Sequence, residues 1–471
     1  MHNHLDRVAL RRVRIAGLWA ALMLSACGGS GGGSDNTPGT STASTPPTIS
    51  NQPADTTVAA DSTARLFVVA SGNGPYIYQW RKNGAPIAGA TSSTLTTTPV
   101  AVADTGARFD VIVTNAGGSV TSRSATLDVT LHAGANRLVG QPNDAGTTDG
   151  AGADEALFNQ PHGLAVNRSG EIYVGDTNNF TVRKVAKDYS VSLLAGVPGT
   201  SGYEDGPGVT ALFGGVGKTV SLLQPATPGA PVEYTTDAFV SGPSSLALDS
   251  AGNIVLTDHA NNVIRKITPQ GVVSTLFGKA RTPGMLAGPP ATALINRTSV
   301  LTVEKVSGWV YFDDFQYPQS FIRRASSFDV DSGRPTSSST VDPLVSGLAV
   351  DSQENVFFIT QSSNQLLKLA VDGSTTIVAG SGISESVDGQ GRAASLCHPS
   401  ALVRNEDGSF FVYDGCSRRI RKVSATGAVT TVVDLTETLG IESPVLGMDI
   451  YAAGQTLVIS ARNALYLVPV N

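Results

Sequence analysis

The sequence has little charge, few thiols and, beyond its N-terminal segment, no long apolar run. Charged residues make up 15% of the 471 positions, and the formal net charge is −6. An acidic chain of this kind repels phosphate groups, which argues against nucleic acid as a partner. No later stretch approaches the ~20 apolar residues that a membrane-spanning helix needs. Because there are only three cysteines, any disulfide framework is minimal.

Glycine, by contrast, is abundant, with 51 residues, and the apolar residues occur in short runs separated by turn-forming residues. Such runs favour β-strands joined by tight turns over helices. The chain is too long for a single hydrophobic core and indicates at least two domains. We therefore expect an all-β protein of several domains.

Residues 1–26 are typical of a targeting segment. Basic residues ending at Arg14 precede an apolar run over 15–24, which is too short for a permanent membrane span. The four residues that end at Cys27 then resemble a bacterial lipobox. The resemblance implies that Cys27 is lipidated and anchors the chain, and that Gly28 directs this lipoprotein to the outer membrane. The alternative is an ordinary secretory signal followed by an unrelated cysteine.

Residues 27–47 consist almost entirely of small and polar residues. Such a segment cannot bury enough apolar surface to fold, so we expect a flexible tether. Roughly 20 residues of this composition have a mean reach of about 25 Å. The tether would therefore hold the folded part close to the membrane.

Residues 48–130 show an alternating pattern of short strands. Trp80 follows Val68 at a distance of 12 residues, and the alternation resumes around Val111. The pattern resembles a bacterial immunoglobulin-like sandwich, with Trp80 as its core tryptophan and two valines at the cysteine positions. Phe109 stands where the corner tyrosine is expected, so the hydroxyl hydrogen bond of that corner is not available. We expect a spacer domain; adhesion through its loops is the alternative.

The rest of the chain repeats one pattern of an apolar strand, a short turn and two further strands. Three clear copies cover residues 161–185, 243–267 and 399–423. Repeats of this length indicate a radial or stacked β architecture, because one unit cannot bury its own apolar face.

These copies resemble the NHL repeat, whose units each form a four-stranded blade of a β-propeller. The resemblance implies a propeller over residues 133–471, and weaker copies bring the number of blades to six. The last copy ends after three strands, whereas residues 136–140 match the outer strand of other copies. We therefore predict a six-bladed β-propeller whose last blade is closed by this N-terminal strand, which removes its open edge.

Each clear copy carries an aspartate and an arginine seven residues apart, namely Asp176/Arg183, Asp258/Arg265 and Asp414/Arg421. A catalytic site occurs once per ring, so we interpret these recurrent residues as hydrogen-bonded structural pairs. Asp-Gly-x-Gly loops begin at Asp149, Asp205 and Asp388. They lack the ligand spacing of a calcium loop, as does the string from Asp329 to Gly333, and we interpret the loops as connections between blades. No metal ligand and no cofactor are predicted.

The histidines and the remaining cysteines have different interpretations. His162, His259 and His398 lack the spacing of a zinc site, so we do not expect them to share a metal.

Cys397 and Cys416 lie at the ends of one predicted hairpin, and an exported protein meets an oxidising compartment. We predict a disulfide between them; two inert thiols are the alternative.

Residues 214–240 form an insertion before the second clear copy. They include Leu222, Tyr234 and Phe239, so we expect the insertion to pack onto one face of the ring. Long insertions are often idle surface excursions, but they also carry binding specificity. Both interpretations remain open.

Two classes of function compete. The first is a lipid-anchored binding protein that presents its propeller to a protein or glycan. The second is an enzyme, because the repeat also resembles gluconolactonase-like hydrolases and propeller lyases. Asn167, Asp249, Asp351 and Asp449 are acidic or amide residues near the inner strands, but we interpret them as equivalent turn positions. We favour binding, and we assign neither catalytic nor ligand-binding residues.

Overall fold

The structure is a computed structural model that describes residues 44–223, 233–316, 319–335, 345–360, 362–439, 444–452 and 455–470. The predicted targeting segment, Cys27 and most of the predicted tether lie outside these residues. Within the described ranges strands are the dominant regular structure, and no helix is long and apolar enough to cross a membrane.

The first ten strands form the N-terminal sandwich. They are β1 (Thr48–Asn51), β2 (Thr56–Ala59), β3 (Arg65–Phe67), β4 (Val69–Ser71), β5 (Ile77–Lys82), β6 (Ala85–Pro86), β7 (Thr94–Thr96), β8 (Arg108–Asn115), β9 (Gly118–Thr121) and β10 (Ala125–Thr130). The largest sheet has the order β2-β10-β8-β5-β6, with β9 also paired to β8. The pairs β1-β4 and β3-β7 form two further two-stranded sheets, and a 3₁₀ turn (Val102–Asp104) precedes β8.

The core of the sandwich forms around Trp80, which is fully buried and donates its indole N–H to the carbonyl oxygen of Ser92 at 2.9 Å. Val68, Val111 and Phe109 pack in the same cluster. Val68 lies between two short strands with different partners, because β3 pairs with β7 whereas β4 pairs with β1. Apolar contacts alone hold these layers together at the two valine positions.

The remaining strands form six sheets and one separate hairpin in the described part of the chain. After β11 (Asn136–Gly140), sheet I contains β12 (Pro161–Val166), β13 (Ile172–Asp176), β14 (Thr181–Val185) and β15 (Val191–Ala195). The hairpin is β16 (Gly215–Leu223) and β17 (Glu233–Ser241). Sheet II contains β18 (Leu246–Leu248), β19 (Ile254–Asp258), β20 (Val263–Ile267) and β21 (Val273–Phe277).

Sheet III contains β22 (Leu301–Val303), β23 (Val310–Gln316), β24 (Gln319–Ala325) and β25 (Arg334–Pro335). Sheet IV contains β26 (Val345–Val350), β27 (Val356–Thr360), β28 (Gln365–Leu369) and β29 (Thr375–Ala379). Sheet V contains β30 (Gly389–Gln390), β31 (Pro399–Arg404), β32 (Phe410–Asp414), β33 (Arg419–Val423) and β34 (Ala428–Asp434). Sheet VI contains β35 (Val445–Ala452), β36 (Thr456–Ala461) and β37 (Ala464–Pro469), and it is preceded by the short helix α1 (Thr436–Leu439).

The sheets follow one another in a cycle. One strand of each sheet lies on the inner side of the cycle. These inner strands contact each other in the order β12, β18, β22, β26, β31 and β35, and β35 in turn contacts β12. The predicted closing strand β11 pairs antiparallel with β37, from Asn136 opposite Leu467 to Gly140 opposite Ala464. The architecture is therefore all-β and propeller-like, and the pairing predicted for residues 136–140 is present.

The core of this ring lies between neighbouring sheets. One cluster, for example, joins Tyr173 and Val182 of sheet I to Leu246 and Ile254 of sheet II. Since both faces of a sheet are covered, all five residues of β13 are buried, Asp176 among them. A sheet of this kind cannot be stable alone, which is the physical reason for the repetition.

The sandwich packs directly onto the closing strand. Ala60 and Val102 belong to the same apolar cluster as Leu138 and Val139 of β11. Arg137 donates from its guanidinium to the carbonyl oxygen of Pro99 at 3.2 Å. The interpretation of the sandwich as a spacer did not anticipate this contact.

The insertion before sheet II forms a long two-stranded hairpin. Its nine paired positions run from Gly215 opposite Ser241 to Leu223 opposite Glu233. The hairpin contacts two 3₁₀ turns, Thr177–Asn179 and His259–Asn261, which connect the second and third strands of sheets I and II. The prediction that its apolar side chains pack onto the ring concerns side chains outside the described part.

Candidate functional site

The recurrent Asp–Arg pairs are buried ion pairs inside the sheets. Their nitrogen–oxygen distances are 3.3 Å for Arg183–Asp176, 3.0 Å for Arg265–Asp258 and 2.9 Å for Arg421–Asp414, and all six side chains are buried. Sheet III has a variant of the pair, Arg323–Asp314, at 2.7 Å. Water and ligands cannot reach groups at this depth, which supports their interpretation as structural pairs.

The Asp-Gly-x-Gly loops supply a second carboxylate to the same arginines. Asp149 lies 2.6 Å from Arg183, Asp205 lies 2.6 Å from Arg265, and Asp388 lies 2.5 Å from Arg421. Each loop carboxylate also accepts a backbone N–H from an outer strand, at Leu193, Thr275 or Thr431. These aspartates therefore fasten each connecting loop to the sheet that follows it.

The three histidines lie in unlike environments. His162 is on β12, and burial lowers its pKa. His259 is buried in a turn, where burial first and Arg297 second lower its pKa to about 3. His398 is exposed and has a left-handed backbone, with φ of 47°. Among the described residues, no group of three or more His, Cys, Asp or Glu side chains is arranged to hold a metal ion.

Three of the four residues near the inner strands are turn residues, as interpreted from the sequence. Asn167, Asp249 and Asp351 each accept backbone N–H groups of their own turns. The interpretation is wrong for Asp449, which lies within β35 and accepts the backbone N–H of Val166 at 2.8 Å. Asp449 pairs with Val458 on the neighbouring strand. This pairing places Asp449 two residues before the position in sheet VI that corresponds to Asn167 in sheet I.

Cys397 and Cys416 are joined by a disulfide, with their Cα atoms 5.4 Å apart. The backbone N–H of Cys416 also donates to the carbonyl oxygen of Cys397 at 3.3 Å. The bond connects the chain just before β31 to the turn between β32 and β33, so it closes one edge of sheet V.

A small cleft, open to solvent, lies between sheets III and IV. We call it the Arg324 cleft. Its lining residues are Tyr311, Ile322, Arg323, Arg324, Asp331, Glu354, Val356, Leu369 and Val371. The polar part comes from strands β23 and β24, the loop after β24 and the first turn of sheet IV, and the apolar part comes largely from sheet IV.

Arg324 is the centre of the polar part. Its Nη1 donates to Oε2 of Glu354 at 3.1 Å, and its Nε lies 3.6 Å from Oδ2 of Asp331. The guanidinium carbon lies 4.7 Å from the centre of the Trp309 ring. Stacking on an aromatic face and pairing with carboxylates hold the planar guanidinium in one orientation. Roughly a third of each of these three charged side chains nevertheless stays exposed.

Tyr311 adds a hydroxyl group to the cleft. It donates a hydrogen bond to Oε2 of Glu354 at 3.3 Å. Burial first, and the Glu354 carboxylate second, raise the pKa of Tyr311 to about 12. The hydroxyl therefore stays protonated at neutral pH and acts as a donor towards Glu354.

Glu354 has a backbone conformation that L-residues rarely adopt, with φ of 60°. The residue two positions before β13, β19, β23 or β32, in sheets I, II, III and V, is a glycine with positive φ, namely Gly170, Gly252, Gly308 and Gly408. In sheet IV, Glu354 stands two positions before the equivalent strand β27. A side chain in the left-handed region costs on the order of 1 kcal/mol or more, and such strain concentrates at functional positions.

Two further positions of the cleft depart from the repeat. The residue opposite the aromatic position of the second strand is Lys184, Lys368 or Lys422 in sheets I, IV and V, but Arg324 in sheet III. The residue directly before the second strand is polar in sheets I, II, IV and V, whereas sheet III has Trp309. The departures at Trp309, Arg324 and Glu354 therefore meet at one place.

The sequence did not identify this cleft, because its residues do not recur from copy to copy. The recurrent residues maintain the ring. The sequence feature that indicated the cleft was a residue that does not recur, namely a glutamate at a turn position where the other copies have glycine.

Comparison with known proteins supports the architecture. The NHL repeat family model matches residues 158–185, from the loop before β12 to the end of β14. No curated protein matches the chain. The chain is thus an all-β protein that contains an NHL repeat.

Several solved structures are similar in fold. A structural-genomics protein of unknown function from Bacteroides thetaiotaomicron VPI-5482 has 14% identity and a TM-score of 0.50, with 90% of this chain and 98% of that chain covered. An auxiliary nutrient binding protein from the same organism has 14% identity and a TM-score of 0.49, with the same coverage. A gluconolactonase from Xanthomonas campestris has 14% identity and a TM-score of 0.43, with 67% of this chain and 87% of that chain covered. At 14% identity the likeness to the first of these structures concerns the fold alone.

Proposed function

We propose that this protein is a lipid-anchored binding protein of the bacterial outer membrane. Residues 1–26 would direct export, and Cys27 would carry the lipid. An immunoglobulin-like sandwich over residues 48–130 would connect the tether to a six-bladed NHL-type propeller over residues 133–471. The propeller would present its ligand site on the side that carries the first turns of the sheets.

The observation that carries the proposal is the convergence of departures from the repeat. In a repeat protein, residues that maintain the fold recur in every unit, whereas a single ligand site needs residues that occur once. Arg324, Glu354 and Trp309 occur once; Arg324 and Glu354 line a solvent-open cleft, and Trp309 lies against the Arg324 guanidinium. Arginine and aromatic side chains in such a setting are the residue types that dominate binding energy in interfaces.

The cleft favours binding over the hydrolase or lyase alternative. A general base needs a carboxylate or imidazole that is free to accept a proton from the substrate. The Glu354 carboxylate already accepts hydrogen bonds from Arg324 and Tyr311, and Asp331 accepts the backbone N–H groups of Arg324 and Gly333. Groups engaged in this way hold one another in position for recognition.

The test uses the mature chain with Cys27→Ser, which removes the lipid site, and a second form that also carries Arg324→Lys and Glu354→Gly. Thermal unfolding is recorded with panels of polysaccharides, peptides and sugar lactones, and the lactones are assayed for turnover. We expect at least one ligand to raise the melting temperature of the first protein and not of the second. Turnover of a lactone, or equal stabilisation of both proteins, contradicts the proposal.

A further inference from the structure

We infer that the ligand of the Arg324 cleft is a neutral saccharide. The inference rests on the proposed binding function and names the class of molecule that the cleft recognises. It follows from the way in which donors, acceptors and apolar surface are combined there.

The polar groups of the cleft alternate between donors and acceptors over short distances. Glu354 Oε2 lies 3.1 Å from Arg324 Nη1 and 3.3 Å from the Tyr311 hydroxyl, and Asp331 Oδ2 lies 3.6 Å from Arg324 Nε. A sugar hydroxyl both donates and accepts. Neighbouring hydroxyls of one ring can therefore donate to a carboxylate and accept from the guanidinium without displacing either group.

The charges of the cleft disfavour ionic ligands. The charges are already paired: Arg324 faces Asp331 and Glu354, and Arg323, which also lines the cleft, pairs with the buried Asp314, so an anion finds no guanidinium free of carboxylates. A cation has to compete with Arg324 for the carboxylates that already pair with it. Breaking a partly desolvated pair leaves one charge uncompensated, which costs more than adding hydrogen bonds to an intact pair.

The apolar side of the cleft matches the C–H surface of a sugar ring. Val371 is 48% exposed although it is a large hydrophobic residue, and it borders the buried Val356 and Leu369 in the cleft lining. An exposed apolar side chain beside fixed donors and acceptors suits one face of a sugar ring that lies over the cleft.

The test is affinity electrophoresis of the full mature chain with Cys27→Ser in gels that contain one polysaccharide each. Neutral glycans (dextran, mannan, xylan, arabinan and a mixed-linkage glucan) are compared with anionic polygalacturonate and cationic chitosan, at about 0.05 and 0.5 M NaCl, where screening differs strongly. Glu354→Gly is the main variant, because it introduces the residue that other turns have at this position. Glu406→Gln, an exposed acid in the equivalent turn of sheet V, is the matched control.

We expect at least one neutral glycan to retard the protein to the same extent at both salt concentrations. Glu354→Gly should weaken this retardation at least about tenfold in apparent affinity, whereas Glu406→Gln should leave it unchanged. Unfolding midpoints of both variants near that of the parent show that folding is intact.

Other outcomes overturn the inference in distinguishable ways. Salt-sensitive binding to polygalacturonate or chitosan alone, lost in Glu354→Gly, shows that the cleft binds but that the ligand is charged. Neutral-glycan binding that Glu354→Gly leaves intact shows that another surface binds the sugar. No retardation by any neutral glycan refutes the saccharide, and the peptide panel of the preceding section then decides whether the binding function itself stands.

Discussion

The carboxylate of Asp449 accepts the backbone N–H of Val166 at 2.8 Å, and this hydrogen bond joins the first strand of sheet VI to the first strand of sheet I. The two strands are also very close, because a Cβ atom on Gly447 would lie 1.8 Å from the carbonyl oxygen of His162. Together with the pairing of β11 and β37, these contacts form the seam where the two ends of the ring meet. The seam depends on residues that are between 283 and 331 positions apart.

We expect the stability of the ring to depend on the N-terminal segments in a graded way. Removal of residues 1–145 deletes β11, exposes the edge of β37 and leaves its apolar neighbours uncovered. Removal of residues 1–130 keeps β11 but removes Ala60 and Val102 from the cluster that covers Leu138 and Val139. The melting temperature should therefore fall moderately for the shorter deletion and much further, with aggregation, for the longer one.

Differential scanning calorimetry and light scattering of the two truncated proteins and the parent measure this order. Replacing Val102 by Ala in the intact chain is a milder version of the shorter deletion and should lower the midpoint slightly. Equal melting temperatures for both truncated proteins would show that β11 does not close the ring.

Asp313 gives the ring a pH dependence that a single substitution should remove. Its carboxylate is buried without a cation and accepts hydrogen bonds from the backbone N–H groups of Ser299 and Val300 and from the Ser299 hydroxyl. Burial raises its pKa to about 7. An aspartate in the unfolded chain has a pKa of about 3.9.

Because the folded state binds the proton more tightly, the contribution of Asp313 to stability is full below about pH 4 and is lost as the pH rises through about 7. Asparagine is isosteric, can accept the same two N–H groups and can donate to the Ser299 hydroxyl. Asp313→Asn should thus melt several degrees above the parent at alkaline pH and show a smaller difference in mild acid. A melting temperature for Asp313→Asn below that of the parent at alkaline pH would refute this assignment.

The sequence was sufficient to predict most of the ring because its signals are local and repeated. Alternating strands, turn glycines and the unfinished last copy each follow from residues close together in the chain, and the match between residues 136–140 and other outer strands predicted the pairing with β37. The disagreement at Asp449 arose because β35 extends to Ala452, so that the aspartate lies inside the strand.

The cleft and the sandwich contact could not be predicted in the same way, because they depend on contacts between distant elements. Glu354 meets Arg324 across two sheets, and Arg137 meets Pro99 across the junction of the sandwich and the ring. The secondary-structure propensity of a residue and the period of a repeat contain no information about contacts between residues that are far apart in the sequence. The glutamate at a glycine position was the one local indication of the cleft.

Lipid attachment at Cys27 stays a prediction, because this residue lies outside the described part of the chain. Metabolic labelling with a palmitate analogue should mark the parent and not Cys27→Ser, since the thiol is the site of attachment. The parent should also fractionate with outer membranes, whereas the variant should not stay anchored. Equal labelling of both proteins, or a parent that is fully released from membranes, would exclude the anchor.

The disulfide between Cys397 and Cys416 should be a substantial part of the stability of sheet V in the exported protein. It closes a loop with a sequence separation of 19 residues, and Cys397 is 5% exposed. Constraining a loop of this length in the unfolded chain stabilises the fold by about 2–4 kcal/mol.

The double substitution Cys397→Ala and Cys416→Ala should lower the free energy of unfolding by this amount in urea titrations. A reducing agent should lower the stability of the parent similarly and leave the variant unchanged, and peptide mapping without reduction should recover the linked pair from the parent. Two free thiols in protein isolated from the cell envelope would refute the bond.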